Sequence, residues 1–217
     1  MGIRSRIFAA CYDRMSAGAE QAGLGAHREA LLADARGRVL EIGAGTGTNL
    51  EYYGGAVESL TLVEPEAPMA KKLEQRLDHE GRPVEVVPAP AEKLPFEDDQ
   101  FDVAVATLVL CTVDDQTKAL AEVRRVLKPG GKLLFIEHIR SDDPKVARLQ
   151  DRMNGLNRIV AYHCNCNRST LDAIREAGFS ITELERDELK KVPKFVRPLA
   201  VGTARAEASA NGARAAS

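Results

Sequence analysis

The chain has 217 residues, 44% of them hydrophobic, enough for one large core and too few for two comfortable domains. A formal net charge of −2, with Lys and Arg spread along the chain, argues against a polynucleotide partner. No apolar run approaches the ~20 residues of a membrane-spanning helix, the start lacks the apolar core of a secretory signal, and four cysteines are too few for a disulfide framework, so a cytoplasmic protein with reduced thiols is expected.

Ile3, Ile7, Phe8, Cys11, Tyr12 and Met15 are spaced for one face of an N-terminal helix, with Arg4, Arg6 and Arg14 between them. Such a helix could be a lid over a pocket or rest on an anionic membrane surface; simple packing on the domain is the plainer reading. From Arg38 onward short apolar runs alternate with longer amphipathic segments, the pattern of βαβ units and a mostly parallel sheet. The strands expected are Val39–Ile42, Leu60–Glu64, Val84–Pro88, Phe101–Leu108 and Lys132–Ile139. Helices are expected from Pro68 to His79, from Gln116 to Leu127 and from Ser169 to Ala177, the last with Ser169 as its cap. Ile181–Leu184 and Leu199–Thr203 complete the strand set. Residues 1–203 are therefore read as one doubly wound α/β domain and 204–217 as a disordered tail, being rich in Ala, Ser, Gly and Arg.

The most informative local run is Val39-Leu40-Glu41-Ile42-Gly43-Ala44-Gly45-Thr46-Gly47, a strand entering a glycine-rich turn. Glycines there permit positive φ and close approach of a ligand to the backbone, as adenosine-containing cofactors require at a switch point of a sheet. The second strand ends in Glu64-Pro65, placing a carboxylate where it can accept hydrogen bonds from both ribose hydroxyls. A dinucleotide-dependent oxidoreductase shares both features, but Gly43, Gly45 and Gly47 do not follow the Gly-x-Gly-x-x-Gly spacing of a pyrophosphate site.

Glu41 through Asn49 resembles the first motif of class I S-adenosylmethionine-dependent methyltransferases. Ala91-Glu92-Lys93-Leu94-Pro95-Phe96, Gln100-Phe101-Asp102 and Arg125 through Gly131 resemble that family in order and spacing. The resemblance covers roughly residues 5 to 203. It implies a Rossmann-like seven-stranded sheet and S-adenosylmethionine as cofactor. Glu41, Gly43, Gly45 and Gly47 would line its methionine and ribose side, Glu64 and Pro65 the ribose, Ala91 and Glu92 the adenine, and Thr107 the sulfonium. Where many relatives carry Asp before the adenine motif, this chain has Pro90.

Thr107 through Val113, the Glu137-His138 pair and the segment Tyr162–Thr170 look closest to the methyltransferase-like thiol S-methyltransferases. That resemblance implies a small-molecule methyl acceptor, a thiol first; N-methylation of a phospholipid headgroup, C- or O-methylation of a quinone or phenol, and a non-catalytic cofactor-binding module are the alternatives. A thiol acceptor reacts as thiolate, so a neighbouring base or positive charge is wanted. His138 is the first candidate for that role and His163 the second. His163-Cys164-Asn165-Cys166 invites a zinc reading, but Cys11 and Cys111 are far away in sequence, so an acceptor-pocket loop and no metal are expected.

Overall fold

The computed structural model describes residues 3–77 and 81–207. Seven strands form one sheet: β1 Gly37–Ile42, β2 Val57–Val63, β3 Val84–Val87, β4 Phe101–Thr107, β5 Leu127–His138, β6 Phe179–Glu188 and β7 Pro198–Ala206, in the order β3-β2-β1-β4-β5-β7-β6. β1 to β5 pair in parallel, and β7 runs antiparallel between β5 and β6. This is the mostly parallel, doubly wound sheet expected.

Its central strands β1 and β4 are nearly continuous buried runs because helices cover both faces, whereas the edge strand β6 is exposed along most of its length. One core cluster joins Leu40, Ala104 and Phe135 to Leu120 and Val123 of helix α4 (Gln116–Val126) and Ile174 of α6 (Thr170–Glu176). The other joins Val39, Val103 and Leu134 to Leu32 of α2 (Gly25–Leu32) and Leu73 of α3 (Ala67–Arg76). Alternate residues of a strand feed opposite cores, as period-two side chains must. Asp115 caps α4 by accepting from the Lys118 N–H at 3.1 Å.

Several expectations need correction. Ser169 stands at the N-cap of α6, yet its side chain makes no capping bond. The helix read from Pro68 to His79 runs from Ala67 to Arg76, and positions 78–79 lie outside the described residues. Helix α5 (Pro144–Val160) was not legible, because its buried positions include polar Gln150 and Asn157 as well as Val146 and Ala147, which breaks the apolar period. In α1 (Ile3–Ala19) the apolar face is split: Phe8 and Tyr12 are half-buried, whereas Ile7, Cys11 and Met15 are exposed and the buried positions are Ser5 and Ala9. The helix lies across a cavity and is fastened by polar contacts. Asp13 accepts from Thr46 Oγ1 at 2.6 Å and pairs with Lys72 and Arg76 of α3, while Ser5 donates to Glu66.

The C-terminal boundary also moves. Ala204 to Ala206 belong to β7, where Ala204 sits opposite Leu133 and Ala206 opposite Phe179; small side chains suffice because their partners are large. Residues 208–217 of the expected tail lie outside the described residues. Among the described residues no helix is long and apolar enough to cross a membrane.

Candidate active site

The strand order reverses between β1 and β4, and a crevice at the carboxyl ends of the strands is the physical consequence. A cavity of about 500 Å³ occupies it, with α1 along one side. The turn after β1 holds Gly43 and Gly45 at φ +59°. At Gly43 a Cβ would lie 2.2 Å from Val109 Cγ2, so the two turns beyond β1 and β4 touch only because that position is glycine. At Gly45 a Cβ would meet nothing nearer than the Gly43 carbonyl at 3.9 Å, and Gly45 lines the cavity.

Glu64, just beyond β2, is oriented from both sides. Its Oε2 accepts from the Gly45 N–H and its Oε1 from the Glu66 N–H, each at 2.8 Å. Burial pushes its carboxyl above the ordinary carboxylate range, and the two N–H groups oppose that rise. Each oxygen keeps a further lone pair for a ligand hydroxyl. Pro65, Ala91, Glu92 and Thr107 also line the cavity. Glu92 is held in place by accepting from the Asp114 and Asp115 N–H groups at 2.8 and 3.2 Å.

Glu41 and Gly47, both expected on the methionine and ribose side of the cofactor, do not line the cavity. Glu41 is 2% exposed and accepts from Asn49 Nδ2 at 2.9 Å and the Tyr53 hydroxyl at 2.6 Å. Burial pushes its carboxyl up to about 7, against the hydrogen bonds from Tyr53 and Asn49 and the charge of Arg28. A Cβ on Gly47 would collide with Leu73 and Leu50, so that glycine serves packing.

The network continues through Arg28, a buried cation that the sequence reading missed. Its guanidinium donates to the Glu20 carboxylate, to Asn49 Oδ1 at 2.6 Å and to Thr107 Oγ1 at 3.1 Å. Asn49 also donates to Thr107 Oγ1, at 3.0 Å, so both acceptor positions of that hydroxyl are filled and its own O–H is left to donate.

The other end of the cavity is built at the ends of β4 and β5, which lie side by side with Thr107 opposite Ile136. Glu137 is fully buried and accepts from the Val109, Leu110 and Cys111 N–H groups at 2.8, 2.7 and 3.3 Å. It thereby shapes the turn that carries Cys111, and burial pushes its carboxyl up to about 7 despite those donors. His138 is 7% exposed and lines the cavity. Its Nδ1 lies 3.5 Å from Cys111 Sγ and 3.6 Å from Cys164 Sγ, and the two sulfurs are 3.8 Å apart. His138 Nε2 is buried and has no hydrogen-bond partner among the described residues.

The loop carrying Cys164 is tied to Cys111 by the backbone: Asn165 donates its N–H to the Cys111 carbonyl at 2.7 Å. Cys164 is drawn strongly toward thiolate by its hydrogen bond with Cys111 and by the facing imidazole, against burial. The Cys111 thiol is raised in return, through that hydrogen bond and burial. The imidazole of His138 is raised too: burial opposes the rise, and the hydrogen bond to Cys164 outweighs it. His163 lines the cavity as well, but on an exposed turn at φ +68°. Cys166 lies outside the cavity lining, and burial pushes its thiol up to about 12. The apparent shortage of sulfur ligands was thus an artefact of sequence distance. Cys111 follows β4 and His138 ends β5, so two neighbouring parallel strands were the signal that could have paired them.

A family model described as a methyltransferase domain matches residues 40–135. A human thiol S-methyltransferase, TMT1A of Homo sapiens, is 32% identical over 171 residues, covering 76% of this chain and 69% of that protein. The chain belongs to the class I S-adenosylmethionine-dependent methyltransferases. A rat thiol S-methyltransferase, TMT1B of Rattus norvegicus, is 35% identical over 152 residues, covering 68% of this chain. The match spans 62% of the rat protein's length, a little under two thirds. The solved structure of a SAM-dependent methyltransferase from Thermotoga maritima is similar with a TM-score of 0.67 at 24% identity, covering 94% of this chain and 98% of that one; it shows the fold. The cavity fits the family's cofactor: a glycine at Gly45 whose missing side chain leaves room, a carboxylate at Glu64 with lone pairs to spare, and a volume suited to a ligand of that size.

Proposed function

We propose that this methyltransferase transfers a methyl group to the sulfur of a small thiol. The observation that carries the reading is the Cys111, His138 and Cys164 cluster at one end of the cavity whose other end is formed by Gly45 and Glu64. Similarity to thiol S-methyltransferases supports it independently.

When bound, S-adenosylmethionine supplies an electrophilic methyl group on a sulfonium. Gly43 and Gly45 would let that cofactor approach the backbone, Glu64 and Pro65 would hold its ribose, and Ala91 and Glu92 would flank its adenine. Thr107, with its free O–H, faces the reacting end. Transfer is an in-line displacement, so the chain contributes alignment and exclusion of water, the latter through α1 along the cavity. His138 is the side chain placed to stabilise the incoming sulfur as thiolate, and His163 at the rim is the second candidate for taking up the proton. The adjacent reduced cysteines suit a reducing, cytoplasmic compartment. Exposed Ile7 and Met15 beside Arg6 and Arg14 support weak contact of α1 with an anionic membrane surface.

The test separates binding from transfer. His138→Ala should leave affinity for S-adenosylhomocysteine within about twofold of wild type and lower kcat/KM toward a small thiol by about 100-fold, the scale of losing one general acid–base group. Full activity in that variant would retire His138 and with it the proposed acceptor end.

A further inference from the structure

We infer that Cys111, His138 and Cys164 form a three-ligand site for a zinc-class cation whose fourth position, open to the cavity, takes the sulfur of the methyl acceptor. The inference rests on the thiol reading above and supplies the source of positive charge at the acceptor end.

Geometry carries it. A tetrahedral zinc with Zn–S of about 2.3 Å and Zn–N of about 2.0–2.1 Å places its sulfurs about 3.8 Å apart and each sulfur about 3.6 Å from the nitrogen. The observed separations are 3.8 Å between the sulfurs and 3.5 and 3.6 Å from them to His138 Nδ1. Three independent side chains, 26 to 53 positions apart in sequence, thus sit at the corners of one face of a zinc tetrahedron. All three are buried, and their ligand atoms converge on one point. Two thiolates and an imidazole are the donor set that selects zinc among the divalent ions.

A second observation points the same way. His138 has its Nδ1 turned to the sulfurs while Nε2 is buried and unpartnered, so no second hydrogen bond fixes the ring. Coordination through Nδ1 would fix it, and the backbone already braces the ligand: Thr170 Oγ1 donates to the His138 carbonyl at 3.1 Å. Glu137, by gathering the N–H groups of residues 109–111, sets the position of Cys111. With three protein ligands among the described residues, all lining the cavity, the vacant corner is the arrangement of a catalytic rather than a structural zinc.

The chemistry balances. A thiol entering the fourth position loses its proton to solvent on coordination, since a metal-bound thiol is deprotonated. The sulfur's electron pair forms the new S–CH3 bond as the sulfonium–methyl bond breaks, giving a thioether and S-adenosylhomocysteine. The thioether is neutral and a poor ligand, so it leaves. Cation, two cysteine thiolates and acceptor thiolate together carry one net negative charge, which the sulfonium neutralises.

The full chain, purified with a phosphine reductant in place of thiols, should contain one zinc. Replacement by cobalt(II) should give thiolate charge-transfer and tetrahedral ligand-field bands that shift on adding ethanethiol. Loss of partners outside the ligand shell already costs about 10–100-fold in metal affinity, so Cys111→Ser, Cys164→Ser and His138→Ala should each cost at least that, whereas Cys11→Ser on the exposed face of α1 should cost nothing. S-adenosylhomocysteine binding reports that the variants are folded, and the cobalt spectrum of the wild type decides the matter if they are not. A reduced chain that takes up neither ion, leaving a metal-free thiolate–imidazole pair or a disulfide, would overturn the inference. A cobalt spectrum indifferent to ethanethiol would overturn the open position. A spectrum that responds while no thiol is methylated would sustain the metal site and remove the thiol S-methylation reading instead.

Discussion

Replacing Gly45 by Val and by Ala separates what the glycine turn does for the fold from what it does for the cofactor. Both variants force a side chain into the left-handed region at φ +59°, which costs about 1–2 kcal/mol. Neither meets a steric wall at Cβ, since the nearest atom is 3.9 Å away. Thermal midpoints should therefore fall by about 2–8 °C, given the ~2–4 °C per kcal/mol expected of a domain this size. The binding effects should diverge. Valine's two further methyl groups enter the space where ligand and backbone must meet, and a loss of about 100-fold in affinity, near 3 kcal/mol, is expected against about tenfold or less for alanine. Titration calorimetry with S-adenosylhomocysteine and thermal unfolding on the same samples read both quantities. Wild-type affinity in Gly45→Val would show that the cofactor does not approach this turn, and the site drawn here would be wrong.

Three further outcomes follow from the charged side chains. Arg28→Leu leaves Asn49 Oδ1 and the Glu20 carboxylate without the guanidinium donor and Thr107 Oγ1 with one donor of its two, so denaturant unfolding should show a loss of about 3–5 kcal/mol; a loss under ~1 kcal/mol would mean the guanidinium is dispensable. Glu41 and Glu137 both titrate near 7 in the folded chain against an ordinary 4.5, so the stability they carry is full below about pH 4.5 and is lost as pH rises through 7. Glu41→Gln should flatten stability over that window, and an unchanged slope would show that this carboxyl does not titrate there. Asp13→Ala removes the acceptor that ties α1 to Thr46, Lys72 and Arg76; protease cleavage within α1 should quicken while global stability falls by roughly 1 kcal/mol or less, and unaltered cleavage would argue that apolar contacts alone hold the helix.

Much of the sheet was legible because parallel strands covered on both faces write themselves as apolar runs, as in Val39–Ile42 and Phe101–Thr107. The meeting of Gly43, Gly45 and Glu64 at the cavity was legible for a related reason: they sit at strand ends, where spacing along the chain translates directly into spacing across the sheet. Helix α5 was not, because Gln150 and Asn157 spend their buried positions on backbone carbonyls, of Ile139 and Cys166 for the first and of Cys164 for the second. The surroundings of Glu41 were not legible, because Asn49 and Tyr53, which donate to its carboxylate, arrive from an irregular segment with no period to read. The meeting of Cys111 and Cys164 depends on a loop hydrogen bond from Asn165, a contact with no sequence signature.

The central claim is methyl transfer to sulfur, and the most direct test is to supply the purified chain with methyl-labelled S-adenosylmethionine and a panel of small thiols, catechols, quinols and phosphatidylethanolamine. Label should appear in a thioether, with S-adenosylhomocysteine formed in equal amount and the yield falling in His138→Ala. Label on a quinol carbon or an amine headgroup with none on any thiol would contradict the account.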